Sequence, residues 1–323
     1  MKTSGSADFG FPNGKRFAFT VVDDTDDGTV ENLRPVYDLL ADLGMRTTKT
    51  VWPVGCPEGS RDFAMAQTLE DDEYRHFVLD LAARGFEITW HGATMESSRR
   101  ERTIRALDEY AATFGAYPRI HVNHAYNREN MYWGAKRIDS RVLRAILRRK
   151  YGWSPDAYEG DVERSPFWWG DLCVKHFTYC RNLTTNDINT AAFNPSMPYR
   201  DPKRPLLPWW FSASDADDVD EFNDLIHPTH QERLERQGGF CIIATHFGKR
   251  FAPDGRLDPV VRERLTALAA RNGWFVPVGE LLDHLRARRT AHSEDGHLPA
   301  GEWRRMQWTS MLEGVTRRLR ARR

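Results

Sequence analysis

Hydrophobic positions along the chain follow two different periods, and their alternation predicts the order of secondary structure. Short segments that are apolar almost throughout, such as KRFAFTVV at residues 15–22, are typical of strands buried on both faces. Between them lie segments with an apolar residue at every third or fourth position, as in the helix predicted after Thr29. Since strands joined by helical crossovers pair in parallel, the pattern predicts an α/β barrel or an open parallel sheet.

The predicted elements cover most of the chain. We expect strands at 15–22, 47–54, 86–90, 118–123, 172–180, 206–212, 240–245 and 274–278. Besides the helix after Thr29, we expect helices at 71–84, 96–114, 138–151, 217–237, 259–271 and 279–288. The last predicted helix therefore ends the regular alternation at residue 288.

Residues 289–323 differ in composition from the rest of the chain. Residues 289–301 are polar with Gly and Pro, which predicts a linker, and an amphipathic helix is expected from about Glu302. Arg residues crowd its end, and such a tail suits contact with an anionic membrane surface, although its stripe would equally pack on the barrel. The apolar stripe consists of Trp308, Met311, Leu312, Val315 and Leu319.

Charge and composition exclude several classes of protein. The 46 basic residues equal the 46 acidic ones, so we expect no nucleic-acid partner, because phosphate binding requires a basic excess. The four cysteines form no CxxC pair that would indicate a structural zinc site. No apolar run reaches the ~18 residues of a membrane helix, and the first residues lack the apolar core of a signal peptide. A cytoplasmic location is therefore expected.

Polar side chains suited to a metal site follow four of the predicted strands. The carboxyl ends of parallel strands meet at one end of an α/β fold, where the working residues lie. Carboxylates and imidazoles are common ligands of divalent cations such as zinc. A turn or a helix cap explains any one of these residues alone, but their coincidence indicates a metal site. They are Asp23 with Asp24, His91, Asn123 with His124, and His246.

Three segments resemble motifs of the polysaccharide deacetylases of the NodB-homology group, carbohydrate esterase family 4. FTVVDD is similar to the first motif of the family, GFEITWH to the second and GGFCIIATHFG to the closing one. The resemblance spans residues 15–288, although nothing aligns between 126 and 236. It implies a distorted (β/α) barrel of about seven parallel strands over 1–288, with 289–323 as linker and tail. It also implies a metal-dependent hydrolase that removes an N-acetyl group from an amino sugar.

The resemblance assigns a role to each matched residue. It implies that Asp23 is the general base, that Asp24 and His91 bind the metal, and that His246 protonates the leaving amine. The expected cofactor is a divalent cation, with zinc as the first choice. The expected partner is an N-acylated sugar or glycoconjugate, namely the substrate.

The sequence departs from the family pattern in the second motif and offers an alternative in the first. The family has a second ligand His four positions after the first, where this chain has Met95. His124, at the next strand end, is the expected third ligand. In the first motif, TDDGT offers Asp26 and Asp27 as a competing register, and we prefer the earlier pair because it directly follows the strand.

The segment VNHAYNRENMYWG replaces the third motif of the family, which supplies a wall of the pocket. Arg181 with Asn182 and Asn186 with Asp187 follow a predicted strand. The alternatives for them are contact with polar groups of the substrate or a solvated loop, and the loop is the expected setting. The residues expected to bind substrate are Asn123, Tyr126, Arg128 and Trp133.

Two other functions are compatible with the sequence. One is a barrel that has lost catalysis and only binds a carbohydrate, which the Met95 departure would explain. The other is a glycoside hydrolase with paired carboxylates drawn from Asp23, Asp24 and Asp26, although no second acid across the pocket is evident. Stoichiometric metal in the protein would favour the deacetylase.

Overall fold

A computed structural model describes residues 9–57, 66–151, 157–289 and 295–320 of the chain. Strands alternate with helices through these ranges, as the hydrophobic pattern predicts. The strands are β1 (Phe17–Asp23), β2 (Thr48–Val51), β3 (Glu87–Trp90), β4 (Ile120–His121), β5 (Tyr179–Thr185), β6 (Trp209–Asp215), β7 (Gly239–Thr245) and β8 (Gly273–Phe275).

The helices lie between and after these strands. A 3₁₀ turn at Gly134–Arg137 precedes the fourth of them. The helices are α1 (Val30–Asp42), α2 (Asp72–Ala83), α3 (Arg100–Phe114), α4 (Arg141–Tyr151), α5 (Gly170–His176), α6 (Thr190–Phe193), α7 (Val219–Leu225), α8 (Pro228–Gln237), α9 (Pro259–Ala269), α10 (Val278–Arg289) and α11 (Ala300–Arg320).

Strands β1 to β7 pair in parallel in chain order and close into a ring, because β1 pairs with both β7 and β2. The predicted barrel of about seven parallel strands is thus confirmed. The ring is distorted at one seam, where β8 pairs with the first half of β1 and β2 pairs only with its last two residues. Helix α10 lies below this ring, where its first amide groups bond to the first residues of β2 and β3.

Strand β1 is fully buried on both faces, and each face packs against a different layer. Phe19 and Val21 pack with the helices around the barrel, whereas Ala18 and Val22 belong to the cluster that fills its interior. Successive side chains of a strand point to opposite faces. Asp23 therefore continues the face that Val21 presents to the helices, and the residue after it continues the inner face.

Two predicted elements of the middle region differ from the structure. The segment 172–180 was predicted as one strand, but its first half belongs to helix α5 and β5 begins only at Tyr179. The predicted helix 217–237 is divided into α7 and α8, since Pro228 begins a new helix that the His227 side chain caps. In both places, the apolar residues are closely spaced, and such a pattern does not by itself distinguish a strand from a helix or one helix from two.

Helix α11 of the tail packs on the barrel beside β5. Met306 is fully buried in a cluster that it shares with Cys180 of β5, and Glu313 accepts a hydrogen bond from the amide of Asn186 at 2.7 Å. Trp308 and Leu312 are 48% and 58% exposed. The side chains of the predicted stripe beyond residue 314 lie outside the described residues. Within the described ranges, no helix is both long and apolar enough to cross a membrane.

Candidate metal centre

Three side chains that commonly bind metals converge at the carboxyl end of the barrel. They are Asp26, His91 and His124, and their potential ligand atoms all lie within 4.8 Å of one another. One oxygen of Asp26 is 3.2 Å from Nε2 of His91, and the other is 3.5 Å from Nε2 of His124. The resemblance implied that Asp24 lies beside the imidazoles. Asp26, from the alternative pair in the first motif, lies there instead.

The loop after β1 carries Asp26 to this place, and neighbouring loops fix its path. The amide of Thr25 donates to Oγ1 of Thr50 at 3.0 Å. The loop after β7 crosses directly over it at Gly248, where a Cβ would lie 2.6 Å from the carbonyl oxygen of Asp26 and 2.4 Å from the carbonyl carbon of Asp27. Side chains do not approach backbone so closely, so glycine at 248 permits the two loops to touch.

Polar neighbours set the orientation of His124. Its Nδ1 lies 2.9 Å from Oδ1 of Asn127, whose amide nitrogen donates to the carbonyl of Thr94 and to Glu129, both at 2.9 Å. Nδ1 therefore donates to Asn127, and Nε2 faces Asp26; although burial lowers it, the Asp26 carboxylate raises the pKa of His124 above its usual value. Such outer hydrogen bonds orient metal-binding imidazoles in proteins. Burial raises the pKa of Glu129 to about 7.

Besides the contact of Nε2 with Asp26, packing holds His91 in place. Its side chain is 2% exposed, and among the described residues its Nδ1 has no partner. The ring of Trp52 lies 5.6 Å from that of His91 and 5.5 Å from that of His124, so one aromatic side chain supports both imidazoles. Burial lowers the pKa of His91 and favours the neutral ring, which is the form that binds metals.

A third imidazole, that of His246, faces the same carboxylate. Its Nε2 is 3.5 Å from Asp26 and 3.9 Å from Asp24, whereas its Nδ1 is 2.8 Å from the carbonyl oxygen of Asp217 and 3.2 Å from the Asp217 carboxylate. Nδ1 therefore carries a proton toward Asp217. Although burial lowers it, the neighbouring carboxylates of Asp217 and Asp26 raise the pKa of His246 well above its usual value.

The three imidazoles keep Asp26 ionised. Burial alone would raise the pKa of this carboxyl group, but hydrogen bonds from His124, His246 and His91 outweigh burial and hold the pKa well below its usual range. The site therefore presents one carboxylate among three ring nitrogens.

Asp24 is bound by an arginine on the opposite side of the barrel. Both guanidinium nitrogens of Arg181, on β5, donate to its two oxygens, at 2.8 and 2.5 Å. Asp24 is only 5% exposed. Burial raises the pKa of Asp24, yet Arg181 and the nearby imidazoles lower it further than burial raises it. Its carboxylate is therefore ionised, fixed in orientation and next to His246.

Asp23, the expected general base, faces the helices instead. One of its oxygens accepts from the amide of Phe247 at 2.8 Å, and the other from the hydroxyl of Tyr37 at 2.8 Å and the ammonium of Lys49 at 3.0 Å. Both Asp23 and Lys49 are fully buried, and breaking such a pair costs about 3–5 kcal/mol. These contacts are those of a residue that stabilises the fold rather than those of a general base.

The four residues expected to bind substrate occupy different settings. Asn123 is buried, and its amide group is bonded to His121 and to the backbone of Met131. Arg128 pairs with Glu159 and stacks on Phe167. Tyr126 and Trp133 are better placed for a ligand: Tyr126 is 81% exposed with its ring 5.8 Å from that of His124, and Trp133 lies under the guanidinium of Arg137.

Two members of this constellation, Arg181 and Asp217, were not among the site residues predicted from the sequence. Arg181 was placed in a solvated loop because the strand before it was predicted too early, and it is buried inside β5. Asp217 lies two residues after β6, at a strand end like the others. Its position was therefore the available signal, but the predicted helix 217–237 concealed it.

The chemistry of the donor set fits a divalent cation. Asp26, His91 and His124 offer one carboxylate and two imidazoles, a combination that binds zinc in proteins. Burial of His91 favours its neutral ring, and Asn127 holds Nδ1 of His124 so that Nε2 faces Asp26. These three residues would hold the ion.

Comparisons with known proteins give similarities in fold. No model of a known protein family matches the chain, and no curated protein matches it. Among solved structures, the Puue allantoinase is 14% identical with a TM-score of 0.48, covering 86% of this chain and 92% of that one. A probable polysaccharide deacetylase from Pseudomonas aeruginosa is 12% identical with a TM-score of 0.47, covering 86% and 93% of the two chains.

A third solved structure is that of a mutant of the peptidoglycan deacetylase PdaC from Bacillus subtilis. It is 14% identical to this chain with a TM-score of 0.43, covering 87% of this chain and 96% of that one. Two of these three proteins are thus named as deacetylases, the class whose motifs the sequence resembles. At such identities and scores, the functional interpretation rests on the residues of the site itself.

Proposed function

We propose that the protein is a metal-dependent hydrolase that removes the N-acyl group, in the first place acetyl, from an amino sugar or related carbohydrate amide. One observation carries the proposal: the group of Asp26, His91 and His124 is flanked by an ionised carboxylate, Asp24, and an anchored imidazole, His246. Amide hydrolysis needs a Lewis acid, a proton acceptor and a proton donor within reach of one carbon atom.

In this proposal Asp26, His91 and His124 bind the cation, with zinc as the expected metal. A zinc ion, when bound, lowers the pKa of a water ligand and polarises a carbonyl group. The two remaining groups of the site then move the protons of the reaction.

Asp24 accepts a proton from the attacking water as the water oxygen bonds to the acyl carbon. Arg181 keeps the carboxylate ionised and fixes its direction through two hydrogen bonds. When the carbon–nitrogen bond breaks, His246 donates the proton on Nε2 to the departing amine, while Asp217 holds Nδ1. The products are a carboxylate and a free amino group. The base is therefore proposed to be Asp24 in place of Asp23, and the metal ligand Asp26 in place of Asp24.

The same contacts weigh against the two other functions. A glycoside hydrolase needs one protonated carboxyl group as its acid. Asp24 and Asp26 are both stabilised as anions by cationic or hydrogen-bonding neighbours, so neither suits that role. A barrel that only binds carbohydrate was suggested by Met95, which replaces a ligand His of the family motif. His124 lies beside His91 and offers the missing imidazole, so Met95 no longer favours that function.

The proposed function is tested by product analysis on zinc-loaded protein. N-acetylglucosamine and its oligomers are expected to release acetate and free amine in equal amounts. Removal of the metal with a chelator should abolish release, and added Zn²⁺ should restore it. New reducing ends without acetate would indicate glycoside hydrolysis instead. Carbohydrate binding without either product, by protein that retains zinc, would indicate a barrel that only binds.

We also propose that helix α11 brings the protein to anionic membrane surfaces. Trp308 and Leu312 are exposed one helical turn apart, and Arg residues follow them. The paired change of both residues to Ser is expected to weaken sedimentation with vesicles of anionic phospholipid about 10-fold or more, as each apolar side chain contributes about 1.5–3 kcal/mol. Val174, 53% exposed on α5, offers a control as Val174→Ser. Equal sedimentation of all three proteins would contradict membrane contact by the tail.

A further inference from the structure

One half-buried cation near the proposed site forms no ion pair with a described residue. Arg137 ends the 3₁₀ turn before α4, and its guanidinium lies 4.0 Å from the ring centroid of Trp133. Within the described ranges, the polar contact of its guanidinium is a long one, from Nη1 to the carbonyl oxygen of Asn182 at 3.5 Å. Among the residues that the structure describes, no carboxylate forms an ion pair with Arg137, and its buried Nε has no hydrogen-bond acceptor.

The other cations of this region are paired. Arg204 forms ion pairs with Asp139 and Asp201, and Lys136 with Asp161. Arg137, in contrast, forms no such ion pair, although Tyr158 and Asp215 interact with its charge. Burial lowers its pKa to about 10, which still leaves the group a cation at neutral pH. A half-exposed guanidinium that forms no ion pair within the described part of the protein is available to form one with a ligand.

The position of Arg137 connects it to the proposed site. Asn182, which its guanidinium touches, directly follows Arg181 in the second half of β5. Arg181 is the residue that binds Asp24. The guanidinium groups of Arg181 and Arg137 therefore lie near adjacent positions of β5. Arg181 forms an ion pair with Asp24, whereas Arg137 forms none with a described residue. Arg137 stacks on Trp133, an aromatic side chain of the kind that packs against sugars.

We propose that Arg137 binds an anionic group of the substrate, a carboxylate or a phosphate, so that the substrate is a negatively charged N-acylated sugar. This inference rests on the proposed function, because it places the anion on the molecule that the centre hydrolyses. A planar guanidinium with free donors matches both anions through paired hydrogen bonds. The shared chemistry is a delocalised oxyanion on the sugar or on a group attached to it.

The proposal is tested by equilibrium binding without turnover, measured by calorimetry on the full zinc-containing chain that carries Asp24→Asn, which is expected to keep the metal and lose turnover; wild type here denotes this chain with Arg137 intact. N-acetylglucosamine is compared with its 1-phosphate and with the corresponding N-acetylated aminouronate. Wild-type protein is expected to bind at least one charged sugar about 10- to 100-fold more tightly than the neutral one. The charged sugar that shows the preference identifies the anion as phosphate or carboxylate.

Arg137→Gln is expected to remove this preference and leave binding of the neutral sugar unchanged. Arg148→Gln, an exposed change on α4, serves as the matched control and should retain it. Inorganic phosphate should raise the Tm of wild type and not that of Arg137→Gln. If the Gln variant fails to fold, Arg137→Lys takes its place. Lys should weaken binding of the charged sugar, because it forms neither the paired hydrogen bonds of a guanidinium nor its stacking contact with Trp133.

Absence of any charge preference in wild type overturns the proposal, as does a preference that survives at full strength in the Arg137 variants. Because binding is measured apart from turnover, this failure is distinct from a failure of the hydrolase assay. A protein that prefers charged sugars through Arg137 and hydrolyses none would refute only the proposed function.

Discussion

Replacing Asp26 with Asn is expected to abolish tight binding of one zinc ion. The side chain keeps its size but loses the negative charge that faces His91, His124 and His246. Changes to residues that merely orient a ligand weaken metal binding about 10–100-fold, and loss of a ligand should exceed that range. Metal content after dialysis against a competing chelator, and the gain in Tm on adding Zn²⁺, measure the effect.

Two neighbours in the first motif provide the controls. Asp27→Asn should retain the metal, since Asn tolerates the positive φ of 57° at that position. Asp24→Asn should also retain it while losing turnover, because Asp24 is held by Arg181. If Asp24→Asn loses zinc and Asp26→Asn keeps it, the register preferred from sequence is right and the assignment proposed from the site is wrong.

Replacing His246 with Ala is expected to lower kcat about 10²–10⁴-fold, the contribution of a general acid, without loss of zinc. The imidazole lies within reach of Asp24 and Asp26 but outside the group of three ligand residues. Steady-state kinetics of acetate release, with metal analysis of the same sample, separate loss of a proton donor from loss of the ion.

The matched control for this change is His76→Ala, on the exposed side of α2. It should leave kcat within about twofold, because surface changes away from special features have small effects. Asp217→Asn should fall between the two variants, since it keeps the geometry around Nδ1 and removes the charge. If the His246→Ala variant retains wild-type kcat, another residue is the proton donor.

Much of the site could be located from strand ends. His91, His124 and His246 each come directly after a predicted strand, so the sequence predicts that they meet at one end of the barrel. The same pattern was too weak between residues 126 and 236, where short and irregular elements replace clear periods. There the predicted boundary of one strand concealed Arg181, and an overlong predicted helix concealed Asp217.

The sequence by itself determined the order of strands and helices, and hence the parallel barrel, because hydrophobic periods record which face of each element is buried. It also determined which polar residues stand at strand ends. Only the tertiary structure decided which acid of VDDTDD faces which partner. Every residue of β1 is buried, so the pattern carries no sign that distinguishes its two faces. Ring closure and the packing of α1 turn Asp23 toward Tyr37 and Lys49, and the crossing at Gly248 fixes the loop that carries Asp26 to the imidazoles.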